Sequence, residues 1–435
     1  MALTDKLVAI AAAIREKAGT SEKLTLEEMP IAIAAIETGG GSGGDDGVPN
    51  PIMLKGNLSY VFGDNKLDWL INNYGDRIQT SGIDSIDYMF SNATNIEGEL
   101  PFYINGNSKV SASKAFDGSS VQLPDDFFTH SGMDGKLSNC YGIFSNYQGD
   151  RIPSFKQLTG TKVSSAYMFS QAYYVKEIGD LSLNPDALQE MFAHCRMLRA
   201  CPNITFLGNN HQTYAYSNNK SIFRNCYSLR TIPENVLKTL YNTAATGTNY
   251  SFLNDMFYNC YVLEEIAGLS PRTSTQTANL FSTTFGYNYR IKKLVFDKAE
   301  DGTPYDVQWK NQTIDLHDAF GWFNAMESNI TTDYNSGITA DKKVVDNATY
   351  QALKNDPDWY SGNVYYSRYN HTSAVETINS LPDASEYLAT QSGGTNTIKF
   401  RSDAGELTDG GAVGDLTEEE IAVATAKGWA VVYAV

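Results

Sequence analysis

The sequence predicts an α/β repeat fold, a solenoid of stacked rungs with a short helical module before it and a small α+β cap after it. Two observations predict this: a phrase that returns along the chain, and a glycine-rich break that sets the N-terminal residues apart. The phrase is plainest at Met256-Phe257-Tyr258-Asn259-Cys260-Tyr261-Val262-Leu263-Glu264-Glu265-Ile266. It returns at Ile222-Phe223-Arg224-Asn225-Cys226-Tyr227-Ser228-Leu229, followed by Ile232-Pro233, and at Met191-Phe192-Ala193-His194-Cys195-Arg196-Met197-Leu198, followed by Cys201-Pro202. Looser copies start at Met168-Phe169 and Met89-Phe90, and degenerate ones centre on Phe116 and Phe144.

With phenylalanine as the phase marker, Phe90, Phe116, Phe144, Phe169, Phe192, Phe223 and Phe257 lie 26, 28, 25, 23, 31 and 34 residues apart. A period of roughly 20–50 residues marks a stacked array, and roughly 20–29 is the spacing of leucine-rich repeats. A single rung cannot bury its own apolar face, so rungs must stack. Within each rung the Met-Phe pair is expected to close a short helix. The Asn-Cys pair supplies a polar turn residue and a small core residue, and Leu-x-x-Ile-Pro a short strand ended by proline.

Ahead of the repeats, residues 3–18 read as an amphipathic helix with Leu3, Leu7, Ile10 and Ile14 on one face. Residues 26–37 read as a second, with Thr25 and Glu28 at capping-box spacing and Met29, Ile33 and Ile36 on one face. Two short helices with one apolar stripe each need a partner, so residues 1–37 are expected to anchor or oligomerise the chain, the alternative being a hairpin folded back on the body. The linker, 38–51, contains Gly39-Gly40-Gly41-Ser42-Gly43-Gly44 and has no Lys-Ser/Thr to make it a phosphate loop. Repeats are expected over 52–294, with insertions near 205–219 and 241–250. Over 295–435 come strands at Leu294–Phe296, Lys343–Val345, Thr397–Phe400 and Trp429–Val435. Helical turns fall at Asn347–Leu353 and Asp383–Leu388, with helices from Ser373 and, capped by Thr417, from Glu418.

Composition excludes several classes. A net charge of −17 argues against nucleic acid or an anionic membrane surface as partner. No apolar run approaches the ~20 residues of a membrane span, and no signal-peptide layout is present, so the chain is expected to stay in the cytoplasm where it is made or to leave it by cell lysis. The five cysteines are expected as buried ladder residues rather than disulfides or metal ligands. His130, His194, His211, His317 and His371 are scattered, with no metal-binding spacing. No Gly-x-Ser-x-Gly elbow occurs, and the neighbours Asp125-Asp126 diverge too readily to form a glycosidase pair. No enzyme, cofactor or metal site is therefore expected. Aromatic residues suggest recognition instead: Trp359, Tyr360, Tyr365, Tyr366 and Tyr369 cluster among small polar residues, either as a receptor-binding surface or as cap packing.

The Met-Phe-x-x-Cys-x-x-Leu-x-x-Ile-Pro phrase resembles the BspA-like leucine-rich repeats of bacterial surface proteins and of phage and prophage tail proteins. The opening segment, Ala12-Ala13-Ile14-Arg15-Glu16-Lys17-Ala18-Gly19 with Met29-Pro30, is similar to the helical start of phage tail or fibre proteins. The closing segment, Val375-Glu376-Thr377-Ile378-Asn379-Ser380-Leu381-Pro382 with Leu416 to Ile421 and Gly428-Trp429, resembles their ends. The phases at Phe90, Phe116, Phe144 and Phe169 lack the cysteine, so that stretch is either divergent repeats or an irregular opening. The resemblance implies a virion protein of tail-fibre or receptor-binding type. It would be held to other virion proteins by N-terminal helices, as a homotrimer, with a solenoid that meets a bacterial surface glycan or protein. The alternative is a structural decoration protein of a capsid or baseplate.

Overall fold

The computed structural model describes residues 36–37, 51–130, 132–207, 221–241, 255–260, 263–269, 275, 279–281, 283–286, 288, 291–316, 369–401 and 413–434. The chain is a parallel β-solenoid with few helices. Its first sheet runs from β1 (Ile36–Glu37) through β2 (Ile52–Asn57), β3 (Ile78–Ser85) and β4 (Gly106–Ser111) to β5 (Leu137–Asn139). All pairings from β2 onward are parallel, with Ile52 beside Ile78 and Val110 beside Leu137. The ladder continues through β6 (Arg151–Ile152) with β8 (Glu177–Ile178), and through β7 (Phe155–Lys156), β9 (Leu181–Leu183) and β10 (Ile204–Phe206). Single bridges carry it from Ala200 to Thr231 and on to Glu265 in β11 (Glu265–Leu269), which pairs with β12 (Lys293–Phe296). Finally β13 (Thr313–Asp315), β14 (Asn396–Arg401) and β15 (Trp429–Ala434) form a further parallel sheet.

The core is a column of phenylalanines. Phe62, Phe90, Phe116, Phe144, Phe169, Phe192, Phe223, Phe257 and Phe285 are buried, and each ring lies 5.0–6.1 Å from the next, at interplanar angles of 2–21°. Seven of them are the phase markers of the sequence, and the column extends them by one at each end. The cysteine-less phases are therefore divergent repeats: Ala93, Ser119, Tyr147 and Ala172 stand where later rungs have Cys195, Cys226 and Cys260. All five cysteines are buried and free. In the later rungs the thiol donates to the carbonyl of the preceding phenylalanine, Cys226 Sγ to Phe192 O at 3.0 Å and Cys260 Sγ to Phe223 O at 3.0 Å.

The expected Met-Phe helix does not form. Around each phenylalanine the backbone makes turns, with left-handed residues two before and two after it. The first set is Tyr60, Tyr88, Lys114, Gly142, Tyr167, Glu190, Ser221, Asp255 and Thr283; the second is Asp64, Asn92, Gly118, Asn146, Gln171, His194, Asn225 and Asn259. Their φ values run from 50° to 70°. This backbone directs every second amide along the solenoid axis instead of along the chain. Phe62 N–H donates to Met89 O at 2.8 Å, the same peptide's Phe90 N–H donates to Ala115 O at 2.8 Å, and Phe116 N–H to Ile143 O at 2.9 Å. The relay runs on to Phe257 N–H and Thr284 O at 3.1 Å. Head-to-tail amides polarise one another, so the rungs are locked by cooperative bonds that a helical turn would have used internally.

A left-handed residue costs ~1–2 kcal/mol for most side chains and least for Gly, Asn and Asp, which explains the Asn of the repeat phrase. These side chains also form a ladder of their own: Asn92 Nδ2 reaches Asp64 Oδ1 at 3.0 Å, and Asn259 Nδ2 reaches Asn225 Oδ1 at 2.6 Å. At Gly118 an added Cβ would collide with Asn92 Oδ1, so the one glycine in this set leaves room for the rung below.

Regular helices among the described residues lie outside the column: α1 (Asp68–Tyr74), α2 (Glu234–Tyr241), α3 (His371–Ser380), α4 (Ser385–Ala389) and α5 (Glu418–Ala426). Asn370 caps α3 by accepting from Ser373 N–H, and Thr417 and Glu420 make a reciprocal capping box on α5. The strands expected at 294–296, 397–400 and from Trp429 are present as β12, β14 and β15. The insertions near 205–219 and 241–250 lie almost wholly outside the described residues, as do the elements expected at 343–345 and 347–353. The same holds for the helix over 3–18 and for 26–35 of the second. Its last two residues, Ile36 and Glu37, are extended rather than helical: they pair antiparallel with Leu54 and Met53. That pairing occupies backbone groups on the edge of β2 that would otherwise need a partner.

A tyrosine edge as the candidate functional site

In the early rungs the side chain of the left-handed residue two before the phenylalanine is half-buried or exposed, and in three of them it is a tyrosine. Tyr60, Tyr88 and Tyr167 occupy this position, Lys114 holds it in the rung between, and Tyr141 fills the neighbouring position beside Gly142. They form one continuous row. The rings of Tyr60 and Tyr88 stack at 4.7 Å and 7°, Lys114 Nζ sits 5.9 Å from the Tyr88 centroid, and Tyr141 and Tyr167 meet at 5.6 Å and 64°. Tyr60 is 51% and Tyr141 38% exposed, whereas the large apolar side chains described elsewhere in the early rungs are buried or half-buried.

Each member is held from behind by rung-to-rung bonds. Tyr60 N–H donates to Asp87 O, Tyr88 N–H to Ser113 O, Lys114 N–H to Tyr141 O and Tyr167 N–H to Gln189 O, all at 2.9–3.0 Å. Side chains add to this: Asp87 Oδ1 accepts from Ser111 Oγ and from Ser113 N–H, both at 2.7 Å, and Gln189 Nε2 donates to the Tyr167 hydroxyl at 2.5 Å. Partial burial works against the charge of Lys114, but the carboxylate of Asp117 at 3.3 Å outweighs it and holds the ammonium above its ordinary pKa. Burial pushes the Tyr167 phenol up, which favours its protonated form.

A second polar cluster lies on another corner. Asp126 Oδ1 accepts from the Tyr103 hydroxyl at 2.8 Å, and its other oxygen lies 3.5 Å from His130 Nδ1; the Tyr103 and His130 rings stack at 4.1 Å. The bond from Tyr103 is the main reason that the Asp126 carboxyl titrates below its usual range. Asp125 turns instead to Arg151. The two neighbouring carboxylates thus have different partners and do not converge on one point. Among the described residues no group of three or more His, Cys, Asp or Glu side chains is placed to hold a metal ion.

Of the aromatics expected to bind a receptor, Trp359, Tyr360, Tyr365 and Tyr366 lie outside the described residues. Tyr369 is corrected: it is fully buried, with its hydroxyl 2.5 Å from Thr377 Oγ1 and its ring 6.0 Å from that of Phe400. It packs α3 against β14 and presents nothing to a ligand. Of the expected anchor residues, Ile36 lies in β1, and Leu3, Leu7, Ile10, Ile14, Met29 and Ile33 lie outside the described residues.

The tyrosine row was missed in the sequence because its members sit in the most divergent rungs. The usable signal was their phase, a Tyr at Phe−2 in Tyr60, Tyr88 and Tyr167. No family model, curated protein or solved structure matches this chain.

Proposed function

We propose that the chain is a phage virion protein of tail-fibre or receptor-binding type that meets a bacterial surface through its solenoid. In this reading its repeats are leucine-rich repeats of the BspA-like kind, and the N-terminal helices fix it to other virion proteins as a homotrimer. The observation that supports it best is the tyrosine row, exposed at Tyr60 and Tyr141 and carried on a backbone whose amides are engaged from rung to rung. Such a scaffold holds recognition side chains at fixed spacing, so little ordering entropy is lost on contact. Three copies on one particle would turn weak contacts into firm attachment.

The test is adsorption. The labelled full chain is mixed with a panel of bacterial strains, and bound protein is measured against concentration. Saturable binding to a subset of strains supports the reading. Uniform absence of binding, together with capture by a virion protein, would favour the decoration role.

A further inference from the structure

We infer that the row Tyr60–Tyr88–Lys114–Tyr141–Tyr167 is the binding site for a neutral, linear polysaccharide lying along the solenoid axis. The inference rests on the receptor-binding reading and gives that site its ligand class.

Three features select the ligand. The first is shape. The row is one side chain wide and crosses five successive rungs. At ~4.8 Å per rung step its length is roughly 19 Å. A folded protein partner needs a broad patch of ~800 Å² on each side, whereas a single extended chain fits a narrow row. A row with one polar side chain per rung also suits a polymer built from repeated units.

The second is the backbone. An extended peptide would add itself to a sheet through open N–H and C=O groups. Here the N–H groups of Tyr60, Tyr88, Lys114 and Tyr167 already donate to the next rung, and the carbonyl of Tyr141 already accepts from Lys114. Side chains must therefore do the recognising.

The third is charge and ring orientation. Tyr60 and Tyr88 stack face to face, so the pair meets solvent mainly through ring edges and hydroxyls. Ring edges carry the positive end of the aromatic quadrupole and favour oxygen atoms. Phenol hydroxyls and the Lys114 ammonium add hydrogen-bond donors to the same line. A polyanion is disfavoured by the chain's net charge of −17 and by Asp87 and Asp117 in these same rungs. Hydroxyl-rich and uncharged describes a neutral glycan.

The experiment is native affinity electrophoresis of the full chain in gels containing dextran, mannan, galactomannan or, as an acidic control, alginate. The expected result is retardation by at least one neutral polymer and none by alginate. Tyr60→Asn with Tyr141→Ser should weaken that retardation by about tenfold or more, the scale of losing interface anchors. Asn suits the left-handed backbone of residue 60, and an unchanged melting curve would show that the column is intact. Val423→Ser, a change at an exposed apolar residue on α5, should leave retardation unchanged. Equal retardation of wild type and double variant would overturn the inference. So would no retardation by any neutral polymer; if strain adsorption then persisted, the receptor-binding reading would stand without it, and if adsorption were also absent both would fall.

Discussion

Replacing Asn225 separates the left-handed rung from a helical one. Asn225 has φ 61° and is buried at 7% exposure. Its N–H donates to Tyr258 O at 2.8 Å, its Nδ2 lies 3.2 Å from His194 Nδ1, and its Oδ1 accepts from Asn259 Nδ2 at 2.6 Å. Asn225→Gly keeps the backbone and loses two side-chain hydrogen bonds, a cost of roughly 1–3 kcal/mol. Asn225→Ala loses the same bonds and must also place a Cβ in the left-handed region, which adds ~1–2 kcal/mol. Asn225→Val adds crowding from its branched Cβ. The predicted order of stability is wild type, then Gly, then Ala, then Val. In a helix the middle of that order reverses, because Gly is ~1 kcal/mol worse than Ala. Urea titration followed by near-ultraviolet circular dichroism of the aromatic column measures the order. An alanine variant more stable than the glycine variant would refute the left-handed geometry.

Three further outcomes follow from the same packing. Phe116 touches Phe90, Phe127, Phe128 and Phe144 with no exposed surface, so Phe116→Ala should cost about 3–5 kcal/mol in urea titration, and Phe116→Leu much less. Because a stack is held by nearest-neighbour interfaces, the alanine variant should also broaden or split the transition. Burial pushes every thiol up, Cys140 to about 12, so a disulfide reagent should titrate almost no thiol in the native chain and all five after denaturation. The carboxyl of Glu420 is held below its usual range, first by the Thr417 backbone N–H and then by His371 at 3.0 Å. A depressed folded pKa means stability that is present above the unfolded value and lost as pH falls through the folded one. The protection of α5 amides, measured against their intrinsic exchange rates at each pH, should therefore fall in acid below the ordinary glutamate range, and Glu420→Gln should flatten that dependence.

What was legible in the sequence was the phase, because each rung repeats the same burial problem and phenylalanine solves it each time. Phe62 and Phe285 escaped notice because their rungs lack the flanking Met and Cys, although Tyr60-Val61-Phe62-Gly63-Asp64 keeps the spacing. The helix expected at each Met-Phe pair was a wrong period. Asn at Phe+2 was the correct local cue, since it tolerates φ > 0 and caps nothing here. Helix α5 was readable because its cap is local, Thr417 accepting from Glu420 three positions on, whereas α3 was expected from Ser373 and starts two residues earlier, where Asn370 caps it. Tyr369 misled for the opposite reason. Its partners, Thr377 and Phe400, include one 31 positions away (400 − 369), and clustering in sequence says nothing about that contact. The tyrosine row likewise exists only once the rungs are stacked.

The most direct test of the whole account compares adsorption isotherms of the wild-type chain and of Tyr60→Asn/Tyr141→Ser on a strain that binds, with melting curves measured on the same samples. Loss of adsorption with an unchanged melting curve is the predicted result, since Tyr60 and Tyr141 are exposed and stand outside the phenylalanine column. Full adsorption by the double variant would contradict the account and move recognition to another surface of the solenoid.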